Sequence, residues 1–513
     1  MTAEKSTLTS PRAPHPDPDR GRDAGHGASL TLATRLAERI CAFRPEQMTA
    51  RALSQSRTAI IDTIACTLAG IREPCAALLL GTPGVAEAPG EALVFGTDRR
   101  TSALDATLVN GTAAHALDYD DVSGVMGGHH SAPVTAPIFA LGEQLKISGR
   151  RALAAYVLGV ETEVRLARAV NFHHYDKGWH PTATLGTFGA TAAAAHLLQL
   201  DVDRTAMALA LAASLSSGIK ANFGTMTKPL HVGHVGRNGL FAALLAGRGF
   251  EANPSALEHK QGWLRVFNGE GNYRPELMLQ NWGSPWEIET AEMGLKQFPC
   301  CGSTHPAIAM MLALVREEAV AADAVASIEI LAHRRRLPHT DNPDPRTPLA
   351  AKFSIQYVTA RALADGAVRL GDFEGAAVME ERVRRLLPLI TVRPHPDMPD
   401  DGENQFGAEV VLVLNDGRRL ARRIDHLVGR GADDPLSSEE LFEKFEACAE
   451  RSLARDQVAP LFERLETLEM VADLAQVTRL LEPRMLPREA AQRIVSLAST
   501  RGVVADEGAG FVP

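Results

Sequence analysis

The chain has 513 residues, 45% of them hydrophobic and only 5% aromatic, with a net charge of −9 and a pI near 6.0. That length holds two or more domains and a large core. The acidic balance speaks against nucleic acid or an anionic membrane as partner, so an anionic substrate needs positive charge gathered locally.

Residues 1–28 carry Pro11, Pro14, Pro16 and Pro18 among charges and glycines. With no apolar run they read as a disordered tail, not a secretory signal. Residues 29–72 read as helical, with Leu32, Ala33, Leu36 and Ile40 on one face. Residues 82–102 read as loop or short strand, and 102–117 as a helix that delivers Asp118 at its C-terminal end. Helices are expected over 132–148, 150–170, 183–200 and 203–218. The small residues from Gly186 to Ala195 allow close helix approach. After about residue 294 the pattern changes. Ser327–His333 alternates like a strand, 350–366 and 373–386 read as helices, and 393–407 as a loop. Val410–Leu414, Asn415-Asp416-Gly417 and the run from Arg418 read as a β-hairpin. Helices over 437–451, 456–471 and 487–498 return to the first bundle. The expected architecture is mostly α with an α+β lid: a helical domain of residues 29–293 and 434–500, an α+β unit of 294–433, and a flexible tail of 501–513.

No run of about 18 apolar residues predicts a membrane span. The six cysteines are scattered, which suits a reducing, cytoplasmic setting. Cys300 and Cys301 lack a second pair at zinc spacing, so no structural zinc is expected.

Polar motifs interrupt the helices. Asp118, Asp120 and Asp121 follow a helix end, as acids that orient a histidine or as a solvated acidic turn. His129 and His130 lie in a glycine-rich stretch, where the backbone can approach a ligand; the alternatives are a surface loop or a metal site shared with the aspartates. His180 precedes Pro181, where a helix begins, and either faces an anion or merely caps. Lys228, between glycines and beside Pro229, reads as a fixed cation in a pocket wall, with His231 in the same wall or packed behind it. Lys296 falls at the expected domain junction. Tyr357 lies on an amphipathic helix, as a packed core residue or a site residue; Lys352, one turn earlier, reads as solvated surface. Cys301 lacks an evident base for a nucleophilic role, and His333–Arg336 reads as a solvated strand end.

The blocks His115–Asp121, Gly128–Ser131, Gly178–Thr182, Thr227–His231, Lys296–Cys301 and Lys352–Tyr357 together resemble the MmgE/PrpD superfamily over roughly residues 30–500. That superfamily includes 2-methylcitrate dehydratases, cis-aconitate decarboxylases and iminodisuccinate epimerases. The resemblance implies a helical domain with a smaller lid, a homodimer, and no metal or organic cofactor. It implies an acid at Asp118, acid/base histidines at His129 or His130, and site roles for His180, Tyr357, Lys228 and Lys296. It departs at His130, where proline is usual, and at Val122 and Cys301, where decarboxylases carry other residues. The expected chemistry is proton transfer next to a carboxylate of a small polycarboxylate, with both lysines on substrate carboxylates. Dehydration ranks first, epimerisation second and decarboxylation third. A non-catalytic anion-binding protein and a metal-dependent hydrolase are the alternatives from other classes.

Overall fold

A computed structural model describes residues 30–290, 292–398, 406–426 and 429–484. Most of residues 30–290 are helix. Ala50–Gly70, Ala103–His115, Ser131–Leu145, Gly149–Val170, Gly186–Leu197, Val202–Leu215 and Thr227–Gly247 form the principal bundle. Local chemistry starts several of them. Thr49, Ser102, Ser148 and Asp201 each accept a hydrogen bond from the backbone N–H three residues on, satisfying donors that a helix end leaves open. The helix expected over 29–72 is two helices, Leu32–Ala42 and Ala50–Gly70. Pro45 opens a separate short turn between them and Thr49 caps the second.

Small residues set the spacing of the bundle. A Cβ on Gly233 would lie 2.0 Å from the Leu108 carbonyl oxygen, so Thr227–Gly247 can lie against Ala103–His115 only with glycine there. The first of these helices carries Lys228 near its start, and the second runs into Asp118. The close crossing therefore brings lysine and acid together.

The second unit is a four-stranded sheet in the order Ile390–Pro394, Val325–Ala332, Ala408–Leu414, Arg419–Ile424. The first pair is parallel and the others antiparallel. The hairpin turns at Asn415–Gly417 as expected, with Gly417 at φ 88°. Helices His305–Glu318 and Ile355–Asp365 pack on the sheet. The helix expected over 373–386 is instead a series of short turns, of which only Glu381–Arg384 is α-helical. Gly375 at φ 50° interrupts the run, and glycine takes that left-handed conformation readily.

Two hydrophobic cores follow this division. Leu441, Phe445, Leu461 and Leu465, on Ser438–Ala449 and Arg455–Glu466, share the core of the first bundle. Ile308, Ile330, Val358 and Val410 form the core around the sheet. The expected helix 487–498 and both tails lie outside the described residues. Among the described residues no single helix is long and apolar enough to cross a membrane.

Candidate active site

The helix Ala103–His115 ends just before Asp118, which adopts φ 53°. That left-handed conformation is uncommon without glycine, though aspartate tolerates it better than most residues. Two buried ammonium groups hold it there. Lys296 Nζ lies 2.7 Å and Lys228 Nζ 2.9 Å from Asp118 Oδ1, and Lys296 also donates to the Asp118 carbonyl at 2.7 Å. Burial alone would push the Asp118 carboxyl up; Lys228 and Lys296 outweigh it and hold it well below its ordinary range.

His129 lies between two of the acids. Its Nε2 is 3.3 Å from Asp118 Oδ1 and its Nδ1 3.1 Å from Asp120 Oδ2. Asp120 also takes a hydrogen bond from His115 Nδ1 at 2.9 Å. Burial pushes His129 below its usual value and His115 down to about 4, so both rings favour the neutral form at neutral pH. The backbone N–H of His129 donates to Thr182 Oγ1 at 2.9 Å. A Cβ on Gly128 would come within 2.8 Å of the same hydroxyl oxygen, so the loop needs glycine to close on the 181–184 turn.

Asp118, Val122, His129, Tyr175, His180, Phe223, Lys228, Cys301, Ser303, Arg336, His339, Phe353 and Phe406 line a cavity between the two units. His180 is in its wall, with Nδ1 3.2 Å from His231 Nδ1; burial and Lys228 keep it well below its usual value. His231 thus backs His180 and does not itself line the cavity. His130 turns away: its Nε2 is 3.1 Å from Asp121 Oδ2, and burial pushes it to about 3.

Four expectations about placement change, at Tyr357, Lys296, Lys352 and Arg336. Tyr357 is buried in the core of the sheet unit, where its hydroxyl donates to the Asp372 carbonyl and accepts from Arg361 Nε. The helix Ile355–Asp365 directs that face inward, away from the cavity. Lys296 is fully buried behind Asp118 rather than in the cavity wall. Its ammonium is satisfied by protein oxygens, which a buried charge requires, so it is not placed to meet a substrate carboxylate directly.

Lys352, expected on the surface, is buried and donates to the Leu117 carbonyl at 2.7 Å and the Pro299 carbonyl at 3.0 Å. Burial lowers it to about 8. Lys444, which sequence reasoning missed, donates to the carbonyls of Tyr119 at 2.9 Å and Lys296 at 3.0 Å, and pairs with buried Asp62. Three lysines therefore tie the consecutive carbonyls of residues 117, 118 and 119 to the segment 296–300. Arg336, read as part of a solvated strand end, is also buried and faces the cavity. A proline a few residues away was the only sequence signal at Lys352 and Arg336, and Lys444, inside the helix Ser438–Ala449, had none.

His115, Asp118, Asp120 and His129 each offer a ligand atom within 4.8 Å of the others, a grouping that could hold a metal ion. Two ammonium groups already occupy Asp118 Oδ1, so a cation there would meet two positive charges at close range. A second cavity, beside Arg165 and Arg168, has its arginines engaged by Glu161 and Glu287 and carries no comparable histidines.

A helical bundle and an α+β unit thus enclose a cavity where neutral histidines meet an ionised acid and a lysine, the equipment of an acid–base enzyme. The chain belongs to the MmgE/PrpD family: the MmgE/PrpD N-terminal domain matches residues 34–276 and the C-terminal domain residues 298–467. The cis-aconitate decarboxylase of Homo sapiens is 30% identical over 88% of this chain and 95% of its own length. That of Mus musculus is 31% identical over 77% of this chain and 82% of its own. That of Aspergillus terreus is 26% identical over 84% and 91%.

Proposed function

We propose that this protein is a lyase that transfers a proton at a carbon next to a carboxylate of a small polycarboxylate, with loss of carbon dioxide as the outcome. The observation that carries the proton transfer is His129, facing the cavity between Asp118 and Asp120 with Lys228 in the same wall. A carbon acid of this kind is weak, and the charge that develops needs fixed positive charge beside it. Lys228 supplies it, oriented by Asp118 and by Lys296 behind. In decarboxylation the C–C bond to one carboxylate breaks and its electron pair moves along the adjoining alkene. The far alkene carbon then takes a proton from His129, whose proton affinity the arriving anion raises. His180 donates a hydrogen bond to the substrate.

Dehydration, ranked first from sequence, becomes the second reading. The full-length relatives named above are decarboxylases, which favours loss of carbon dioxide. Two features favour dehydration: a histidine pushed toward its neutral, basic form, and Val122 and Cys301 in the cavity wall. Proton NMR in D₂O decides between them, using cis-aconitate, citrate, 2-methylcitrate and iminodisuccinate. A product with one carboxylate fewer and one deuterium identifies the decarboxylase. A new alkene from a hydroxy acid identifies the dehydratase, and deuterium wash-in without a new skeleton an epimerase. No change in any of the four would refute the proton-transfer reading.

A further inference from the structure

Loss of carbon dioxide from a carboxylate uses up one proton per turnover. His129 gives that proton to carbon and must then regain it. It does so at depth: His129 is 6% exposed, and Asp118, Asp120 and His180 are less exposed still.

A chain of titratable side chains leads from this depth toward the surface. His129 Nδ1 is 3.1 Å from Asp120 Oδ2, and Asp120 accepts from His115 Nδ1 at 2.9 Å. The other nitrogen of that ring, His115 Nε2, is buried with no hydrogen-bond partner among the described residues. A buried polar atom left unpaired calls for an explanation. The ring of His180 lies 6.1 Å away, centroid to centroid, a gap that one bridging water spans. His180 Nδ1 is in turn 3.2 Å from His231 Nδ1. His231 is half-buried and so keeps contact with solvent.

The local fold holds this order. The His180 backbone N–H donates to the Gly218 carbonyl at 3.0 Å, and the Phe223 ring meets the His180 ring edge-on at 4.9 Å. His231 is carried by the first turns of the helix Thr227–Gly247. Burial favours the neutral form of all four rings, with His115 and His231 pushed down to about 4. A neutral imidazole accepts through one nitrogen while it donates through the other.

We propose that His231, His180, His115 and Asp120 form a relay that returns a proton from solvent to His129 after each turnover. The relay rests on the decarboxylation reading for its need, since dehydration and epimerisation consume no proton overall. Once carbon has taken its proton, the Asp120–His129 pair is one proton short. Water or a buffer acid protonates His231 at Nε2 while His231 Nδ1 gives its proton to His180 Nδ1. His180 Nε2 gives one to His115 Nε2 through the water, and His115 Nδ1 gives one to Asp120. One proton has entered, the acid that supplied it is left as its base, and rotation of the rings restores the starting tautomers.

The test pairs turnover of cis-aconitate with NMR of the histidine ring N–H signals. Wild type and His231→Ala are compared with His234→Ala, an exposed histidine three residues further along the same helix. The proton is regained after carbon dioxide has left, so the relay counts in kcat and not in kcat/KM. His231→Ala should lower kcat by at least about tenfold and leave kcat/KM within about twofold. Added imidazole should restore its kcat, and His234→Ala should match wild type. Independently of turnover, exchange of the His115 ring N–H with water should slow in His231→Ala by about the same factor. The relay is overturned if neither kcat nor exchange changes. It is also overturned if kcat and kcat/KM fall together without rescue by imidazole, as a purely structural role would give. If wild type turns over no cis-aconitate, exchange that depends on His231 upholds the relay and refutes the decarboxylation, while exchange independent of His231 overturns the relay.

Discussion

Replacing Asp118 by asparagine keeps the shape of the side chain and removes the charge that two buried ammonium groups share. Lys296 is fully buried and Lys228 nearly so, at 2.7 and 2.9 Å from the same oxygen. Breaking a buried pair from one side costs about 3–5 kcal/mol, a large share of the roughly 5–15 kcal/mol that holds a typical domain folded. The cost should depend on pH. In the wild type burial lowers Lys296 but Asp118 more than compensates, so its folded value is raised; that contribution is present below about 10.5 and is lost as pH rises through the raised value. In Asp118→Asn the largest opposing charge is gone and burial outweighs what Asp120 still supplies, so the folded value falls below 10.5 and the variant's deficit should shrink between neutral pH and about 10. Urea unfolding followed by tryptophan fluorescence at pH 7 and pH 9.5 measures both effects. Adding Lys228→Met should recover part of the loss at pH 7. An Asp118→Asn protein within 1 kcal/mol of wild type at pH 7, or a deficit that does not shrink with pH, would refute the reasoning.

His129→Gln should lower kcat by about 10²–10⁴-fold, whereas His130→Asn, behind the cavity, should cost less than tenfold; steady-state kinetics on the substrate found by NMR separates them. Because His129 must carry the proton it gives and titrates below its usual value, kcat/KM should fall as pH rises through a value below 6.5, measurable as a pH profile. Tyr357→Phe should keep kcat within about twofold and lose about 1–2 kcal/mol of stability through its hydroxyl contacts, by activity assay and denaturation. Lys444→Met should cost about 3–5 kcal/mol by stranding Asp62, and adding Asp62→Leu should restore much of it, as seen in denaturation midpoints.

The helices were legible because capping residues and apolar periodicity agree along the chain, as at Ser102 and Ser148, and the hairpin because Asp416-Gly417 matches its turn. The motif blocks identified Asp118, His129, His180 and Lys228, which meet at one cavity. The depth of each group was not legible. Lys352 and Arg336 look like surface residues, since a long cationic side chain reads as solvated whatever lies above it. Only the packing of the sheet unit on the bundle buries them. Tyr357 misled for the converse reason: helical periodicity shows that it faces inward but not toward which interior. The division of labour among Asp118, Asp120 and Asp121 depends on left-handed backbone at Asp118, for which aspartate is a weak signal.

The carbonyls of residues 117–119 have a further consequence, which concerns the order in which the chain is made. Their ammonium partners come 178, 235 and 325 positions later in the sequence. At ribosomal speeds of about 5–20 residues per second, the wait for Lys444 is roughly 16–65 s. Over that interval the nascent chain already holds the acids and histidines of the site but not the cations that fix their backbone. The helix Ser438–Ala449, late in the chain, supplies the last of the three. Acid–base machinery is thus withheld from unfinished chains, and a polypeptide stopped short of that helix would present the motifs without the geometry.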